Sequence, residues 1–133
     1  MLGYKKEVKT DYDSAVEKAR EELKKEGFGI LTEIDVKDAL KKKLNVDFDR
    51  YLILGACNPP FAYKALNIER EIGLFMPCNI IIYEHDKKVY VSAIRPTLTL
   101  GAVNNPELNI LAEEVELKLS KVIDAVGGKN AAV

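Results

Sequence analysis

Apolar side chains recur along this chain at two periods. Tyr12, Val16, Ala19 and Leu23 are spaced as on one face of a helix, with Glu17, Lys18, Arg20, Glu21 and Glu22 filling the wet side. Thr10-Asp11-Tyr12-Asp13 has the form of a capping box before this stripe, and Gly27 supplies its stop. A longer stripe, Leu108, Leu111, Ala112, Val115, Leu119, Val122 and Val126, predicts a second long helix. It opens at Asn105-Pro106-Glu107, a cap followed by proline and an acid, and closes at Gly127-Gly128. Between the two helices the period shortens. Residues 28–34 alternate, with Phe28, Ile30, Thr32 and Ile34 on one face and Gly29, Leu31 and Glu33 on the other. Residues 51–56 are apolar without interruption, as in a central strand covered on both faces. Residues 80–83 and 89–94 flank the polar turn Glu84-His85-Asp86-Lys87-Lys88 and read as a hairpin, which Pro96 ends. Val8 marks a short opening strand near residues 3–9.

Two shorter helices complete the pattern. Asp35 caps one that carries Val36, Ala39, Leu40 and Leu44 and closes at Asn45. Asn58 before Pro59 and Pro60 opens another, with Phe61, Ala65 and Leu66 on its apolar side. Strict alternation of strands and helices would suggest a parallel α/β sheet. The middle helices are too short for full crossovers, however, and the chain lacks a glycine-rich phosphate loop. Treated as insertions, they leave strand, helix, four strands, helix. The expected fold class is α+β: a two-layer sandwich with a β-α-β(4)-α core, a largely antiparallel sheet and two long helices on one face. No repeat, linker or low-complexity segment divides residues 1–133, so a single domain is expected.

Composition narrows the function classes. Twenty basic and 21 acidic side chains are interspersed, for a net charge of -1. No basic arm or stripe emerges, which argues against binding nucleic acid by phosphate neutralisation. No apolar run approaches the roughly 20 residues that span a bilayer, and the first residues lack a signal-peptide core. A cytoplasmic protein without membrane contact is expected. The abundance of Lys, Glu and Ile suggests a thermophilic source, where intracellular disulfides do occur.

Candidate chemistry centres on the only two cysteines. Cys57-Asn58-Pro59 follows the 51–56 strand, and Pro77-Cys78-Asn79 precedes the 80–83 strand. If those strands are antiparallel neighbours, Cys57 and Cys78 meet at one sheet end, within disulfide reach of roughly 4.4–6.8 Å between Cα atoms. Buried structural thiols, a redox pair and a ligand contact are all compatible with that geometry. Asn58 can serve as a helix N-cap, and Asn79 can pair with loop backbone. Both amides could equally bond a small ligand. Glu33, on a strand whose other face is apolar, is either a solvated edge acid or a partly buried carboxylate held by a cation such as Lys43 or Arg95. A closed zinc site needs four Cys or His ligands, and the chain offers two thiols and His85 in a polar turn; no metal or cofactor is expected. One histidine in a turn makes no hydrolase triad. The apolar connection Leu98-Thr99-Leu100-Gly101-Ala102-Val103 stands where a polar loop belongs, and covers either a core edge or a partner.

Residues 27–36 (Gly-Phe-Gly-Ile-Leu-Thr-Glu-Ile-Asp-Val), Leu54-Gly55-Ala56-Cys57-Asn58-Pro59, Ile72-Gly73-Leu74 and Pro77-Cys78-Asn79 together resemble the family called domain of unknown function 302. The resemblance covers nearly the whole chain. It implies the same strand-helix-four-strand-helix fold and a homodimer, and it implies no reaction. The expected function is therefore a small-molecule binding module, with Cys57, Asn58, Cys78, Asn79 and Glu33 as candidate ligand contacts. A thiol-dependent redox protein using Cys57 and Cys78, and a purely structural or interaction domain, are the alternatives.

Overall fold

The computed structural model describes residues 2–128. Helix α1 (Tyr12–Lys25) is opened by Asp11, one residue later than the Thr10 box implies. The Asp11 carboxylate accepts from the Ser14 amide at 2.7 Å and from the Ser14 hydroxyl at 3.1 Å, bonds that lower its pKa. A charged cap also sits well at the positive end of the helix dipole. At the other end the amide of Phe28 donates to the Leu23 carbonyl and that of Gly27 to the Lys24 carbonyl, a Schellman turn. Gly27, with φ +84°, takes the left-handed position this turn requires. The turn swings Phe28 back under the helix into the core.

Strand β1 (Gly3–Val8) precedes α1; β2 (Gly29–Asp35) follows it. Asp35 caps α2 (Val36–Leu44) and Asn45 closes it in the left-handed conformation, as the sequence pattern requires. Then come β3 (Tyr51–Cys57), α3 (Pro59–Ile68), a 3-10 segment (Arg70–Phe75), β4 (Cys78–His85) and β5 (Lys88–Ile94). The β4–β5 turn contracts to Asp86 and Lys87, both at positive φ, which matches the twist of a tight hairpin. The apolar connection folds as α4 (Pro96–Thr99) and a 3-10 turn (Leu100–Val103), before α5 (Pro106–Gly127). Asn105 caps α5 by accepting from the amides of Glu107 and Leu108.

The sheet runs β1-β5-β4-β3-β2, and every neighbouring pair is antiparallel. The two strands flanking α1 therefore sit at opposite edges, and α1 crosses the whole sheet. This is the α+β two-layer arrangement expected from the element order. Ala15, Ala19 and Leu23 of α1, with Leu119, Val122 and Ile123 of α5, pack on Leu54, Ile80, Ile82 and Val91 of the sheet. Each such branched side chain removed from water contributes roughly 1.5–3 kcal/mol, before chain entropy is set against it. A smaller cluster, Ala65, Ile72, Leu108 and Leu111, forms where α3 meets α5. Leu100 and Val103 pack against it, so the unexplained apolar segment covers a core edge. Lys6 is buried on β1 because its ammonium reaches Asp124 at 2.9 Å and the Gly128 carbonyl at 3.0 Å.

The regular alternation expected for residues 28–34 is interrupted. Ile30 pairs with Ala56 and Thr32 with Gly55, so Leu31 is an extra, bulged residue. Beyond it the faces exchange. Ile30 and Glu33 now share the helix-side face, whereas Thr32 and Ile34 turn to the other.

Candidate functional site

At the sheet end where β3 finishes and β4 begins lies a cavity of about 350 Å³. It occupies the seam between the main core and the smaller cluster. Phe28, Ala56 and Val115 contribute from the first, and Ala65, Leu111 and Met76 from the second. Both α3 and the Pro96–Val103 segment leave the sheet at this end and flank the seam. Phe61, which touches both clusters, forms part of the wall. The β2 bulge turns Leu31 toward the cavity.

Both cysteines border this cavity. Antiparallel pairing of β3 with β4 brings their ends together, but Ala56 rather than Cys57 stands directly opposite Cys78. The thiols are diagonal neighbours, and both are free. Burial, with a smaller contribution from Cys57, pushes the Cys78 thiol up to about 11. At neutral pH it is a protonated, largely apolar group.

Asn58 departs from its expected role. It is the N-cap residue of α3, yet its side chain makes no capping bond. Prolines at the first helical positions already lack two of the amides a cap would satisfy. Instead Nδ2 of Asn58 donates to the Glu26 carbonyl at 3.2 Å, anchoring the Schellman turn of α1 to the start of α3. The residue is only 9% exposed and lines the cavity, and its Oδ1 has no hydrogen-bond partner among the described residues. The only other hydroxyl or amide side chain on the wall among the described residues is Thr99, whose Oγ1 donates to the Pro96 carbonyl at 3.3 Å. Among the described residues no charged side chain lines the cavity.

The structure does not bring Asn79 and Glu33 to this wall. Asn79 lies opposite Gly55 on the sheet face turned away from α1 and α5, and it is exposed. Glu33 pairs with Arg20 of α1, not with Lys43 or Arg95, and its side chain keeps 45% of its surface in water. The bulge at Leu31 is the reason: it rotates Glu33 to the face that α1 crosses. His85 sits at the far end of β4, beside Asp49 and Asp86. Among the described residues no group of three or more His, Cys, Asp or Glu side chains could hold a metal ion, and no helix is long and apolar enough to cross a membrane. Among the lining residues that the sequence pattern leaves out of the site are Phe28, Leu31, Phe61, Thr99, Leu100 and two positions of α5. The out-of-place hydrophobicity of residues 98–103 is the one signal that points to any of them.

A two-layer α+β sandwich with a small apolar cavity at one end of its sheet defines the class of protein. The chain belongs to the family described as Domain of unknown function DUF302, whose model matches residues 4–126. Its fold is similar to the crystal structure of an uncharacterized conserved DUF302 protein from Bacillus stearothermophilus. That likeness has a TM-score of 0.89 at 32% identity, over 95% of this chain and 98% of the other. No curated protein matches.

Proposed function

We propose that this protein is a small-molecule binding module that works as a homodimer, with the cavity beside Cys57, Asn58 and Cys78 as its binding site. The observation that carries this reading is the cavity itself. A pre-formed, mostly apolar hollow with only a few polar side chains on its wall is the usual form of a ligand site. Its rim supports the same reading, because Leu31, Leu66 and Phe75 are 66%, 37% and 42% exposed there, apolar surface that a ligand would cover. The thiol-dependent alternative needs an accessible thiolate, and burial of Cys78 works against that.

Asn58 is a poor choice for testing binding, since its loss would also free the Glu26 carbonyl. Ala62 on α3 is half-buried, faces the cavity and can carry a large side chain within a helix. Fragment hits detected by ligand-observed NMR are expected to disappear in Ala62→Trp while its melting temperature stays within a few degrees of the parent. Hits that persist unchanged in Ala62→Trp, or no hits with the parent protein, would overturn the reading.

The homodimer is supported by the sheet face turned away from α1 and α5. Tyr51 stacks on Tyr83 at 5.1 Å, Tyr83 neighbours Tyr90 at 5.3 Å, and Lys5 lies over the Tyr90 ring at 4.4 Å. Ile53 and Ile81 extend this row toward the cavity end. Tyrosine and other aromatic side chains are enriched at protein interfaces relative to the rest of the surface. Sedimentation equilibrium is expected to give a dimer for the parent and a monomer for Tyr83→Lys. A parent protein that remains monomeric at high concentration would exclude the dimer.

A further inference from the structure

The chemistry of the cavity wall restricts what it can hold, and this restriction rests on the binding reading above. Among the described residues no charged side chain faces the space, and the amide and hydroxyl donors on the wall are already used, Nδ2 of Asn58 on Glu26 and Oγ1 of Thr99 on Pro96. An ion entering such a site would leave its hydration shell without a counter-charge, which costs far more than apolar contact returns. The one side-chain amide or hydroxyl atom on the wall without a hydrogen-bond partner among the described residues is an acceptor, Oδ1 of Asn58, in a residue only 9% exposed. A ligand that displaces water from this acceptor needs an N–H or O–H donor to replace it. Phe28, Phe61 and Phe75 stand around the space with Met76 and Cys78, a wall of rings and polarisable sulfur suited to a cyclic or aromatic body. At about 350 Å³ the volume is at the low end of the range for ligand pockets, roughly 300–1,000 Å³.

We propose that the cavity takes an uncharged, predominantly apolar molecule of two or three rings at most, which presents a single N–H or O–H donor to Oδ1 of Asn58. Anionic metabolites, phosphate esters and cationic amines are excluded by the same wall.

Three probes that share one body separate these elements. N-phenyl-1-naphthylamine is neutral and carries one N–H; 8-anilino-1-naphthalenesulfonate adds a negative charge to the same rings; 1-naphthyl phenyl ether replaces the N–H by an oxygen. Fluorescence titration is expected to give a dissociation constant for the amine at least about tenfold below that of the sulfonate. In displacement the ether is expected to compete about tenfold less well than the amine, the effect of one neutral hydrogen bond. Ala62→Trp and, independently, Leu66→Trp are expected to abolish binding of the amine. Sulfonate binding as tight as the amine, lost in both tryptophan variants, would overturn the exclusion of charge while leaving the cavity a binding site. An ether equal to the amine would overturn the role of Oδ1. Amine binding that survives both variants lies elsewhere and overturns the proposal. If all three probes fail while NMR fragments bind, the ligand class is wrong; if the fragments fail too, the binding reading falls with it.

Discussion

Replacing Gly55 by valine is expected to lower the stability of this protein by about 3 kcal/mol, the upper end of what overpacking commonly costs. Gly55 is buried in the middle of the β2-β3-β4 pairing, opposite Thr32 on one side and Asn79 on the other. A Cβ added there would stand 2.7 Å from Cγ of Pro77 and closer still to Oγ1 of Thr32. Two opposing effects decide the sign. Replacing a strand glycine ordinarily gains about 0.5–1 kcal/mol by restricting the unfolded chain. Overlap with a threonine and a proline ring, neither of which has a long flexible stem to move, outweighs that gain. Urea denaturation measures the difference. A Gly55→Val protein within about 0.5 kcal/mol of the parent would refute the packing account. Thr32→Ala introduced beside it should recover part of the loss, because Oγ1 is the nearer obstacle, and a double-mutant cycle isolates that coupling. Pro77 also borders the cavity, so the same substitution reports on how closely the sheet and the site are joined.

Stability is also expected to fall between pH 9 and 11 by about 2–3 kcal/mol through a single thiol. Cys78 carries its proton up to about 11 in the folded protein, chiefly because burial disfavours the thiolate, with Cys57 adding to the effect. The unfolded chain releases that proton near the ordinary value of 9.0. Below this pH both states hold the proton and the thiol has no influence on the pH dependence. Above it the unfolded state binds fewer protons, so stability declines by about 1.4 kcal/mol per pH unit until the folded thiol also ionises. Lysines titrate in the same window, so the measurement is a difference. The urea midpoint of the parent should fall more steeply over this range than that of Cys78→Ala. Parallel curves would mean that Cys78 is no more buried than a surface thiol. In a Cys57→Ser protein, alkylation of the remaining thiol should likewise accelerate only as pH approaches 11. A thiol held in this state suits an apolar wall better than a nucleophile.

Helices α1 and α5 can be drawn from periodicity because an apolar stripe at helical spacing has one stable resolution, burial against another layer. Asp35, Asn45 and Asn105 act locally within a few residues of their partners, and each performs the role its neighbours predict. The convergence of the Cys57-Asn58 and Pro77-Cys78 segments follows from antiparallel pairing alone. Glu33 shows where this kind of reading stops. Its face depends on whether one residue, Leu31, counts in the alternation, and a bulge is decided by how a strand meets its partner. Asn58 shows a second limit. Its position before two prolines looks like a cap, but the carbonyl it serves is Glu26, 32 residues earlier in the chain.

What can be read from residue order here is therefore the set of elements, their caps and the end of the sheet at which a site should form. These depend on local hydrogen bonding and on solvent aversion, both written in short stretches of chain. The cavity itself is a gap between two apolar clusters, walled by residues of β2, β3, α3, β4, α4 and α5 and of the segments between them. Its volume, its lack of charge and its single free acceptor arise only when those distant segments pack, because a void is a property of the surfaces around it and of no one segment.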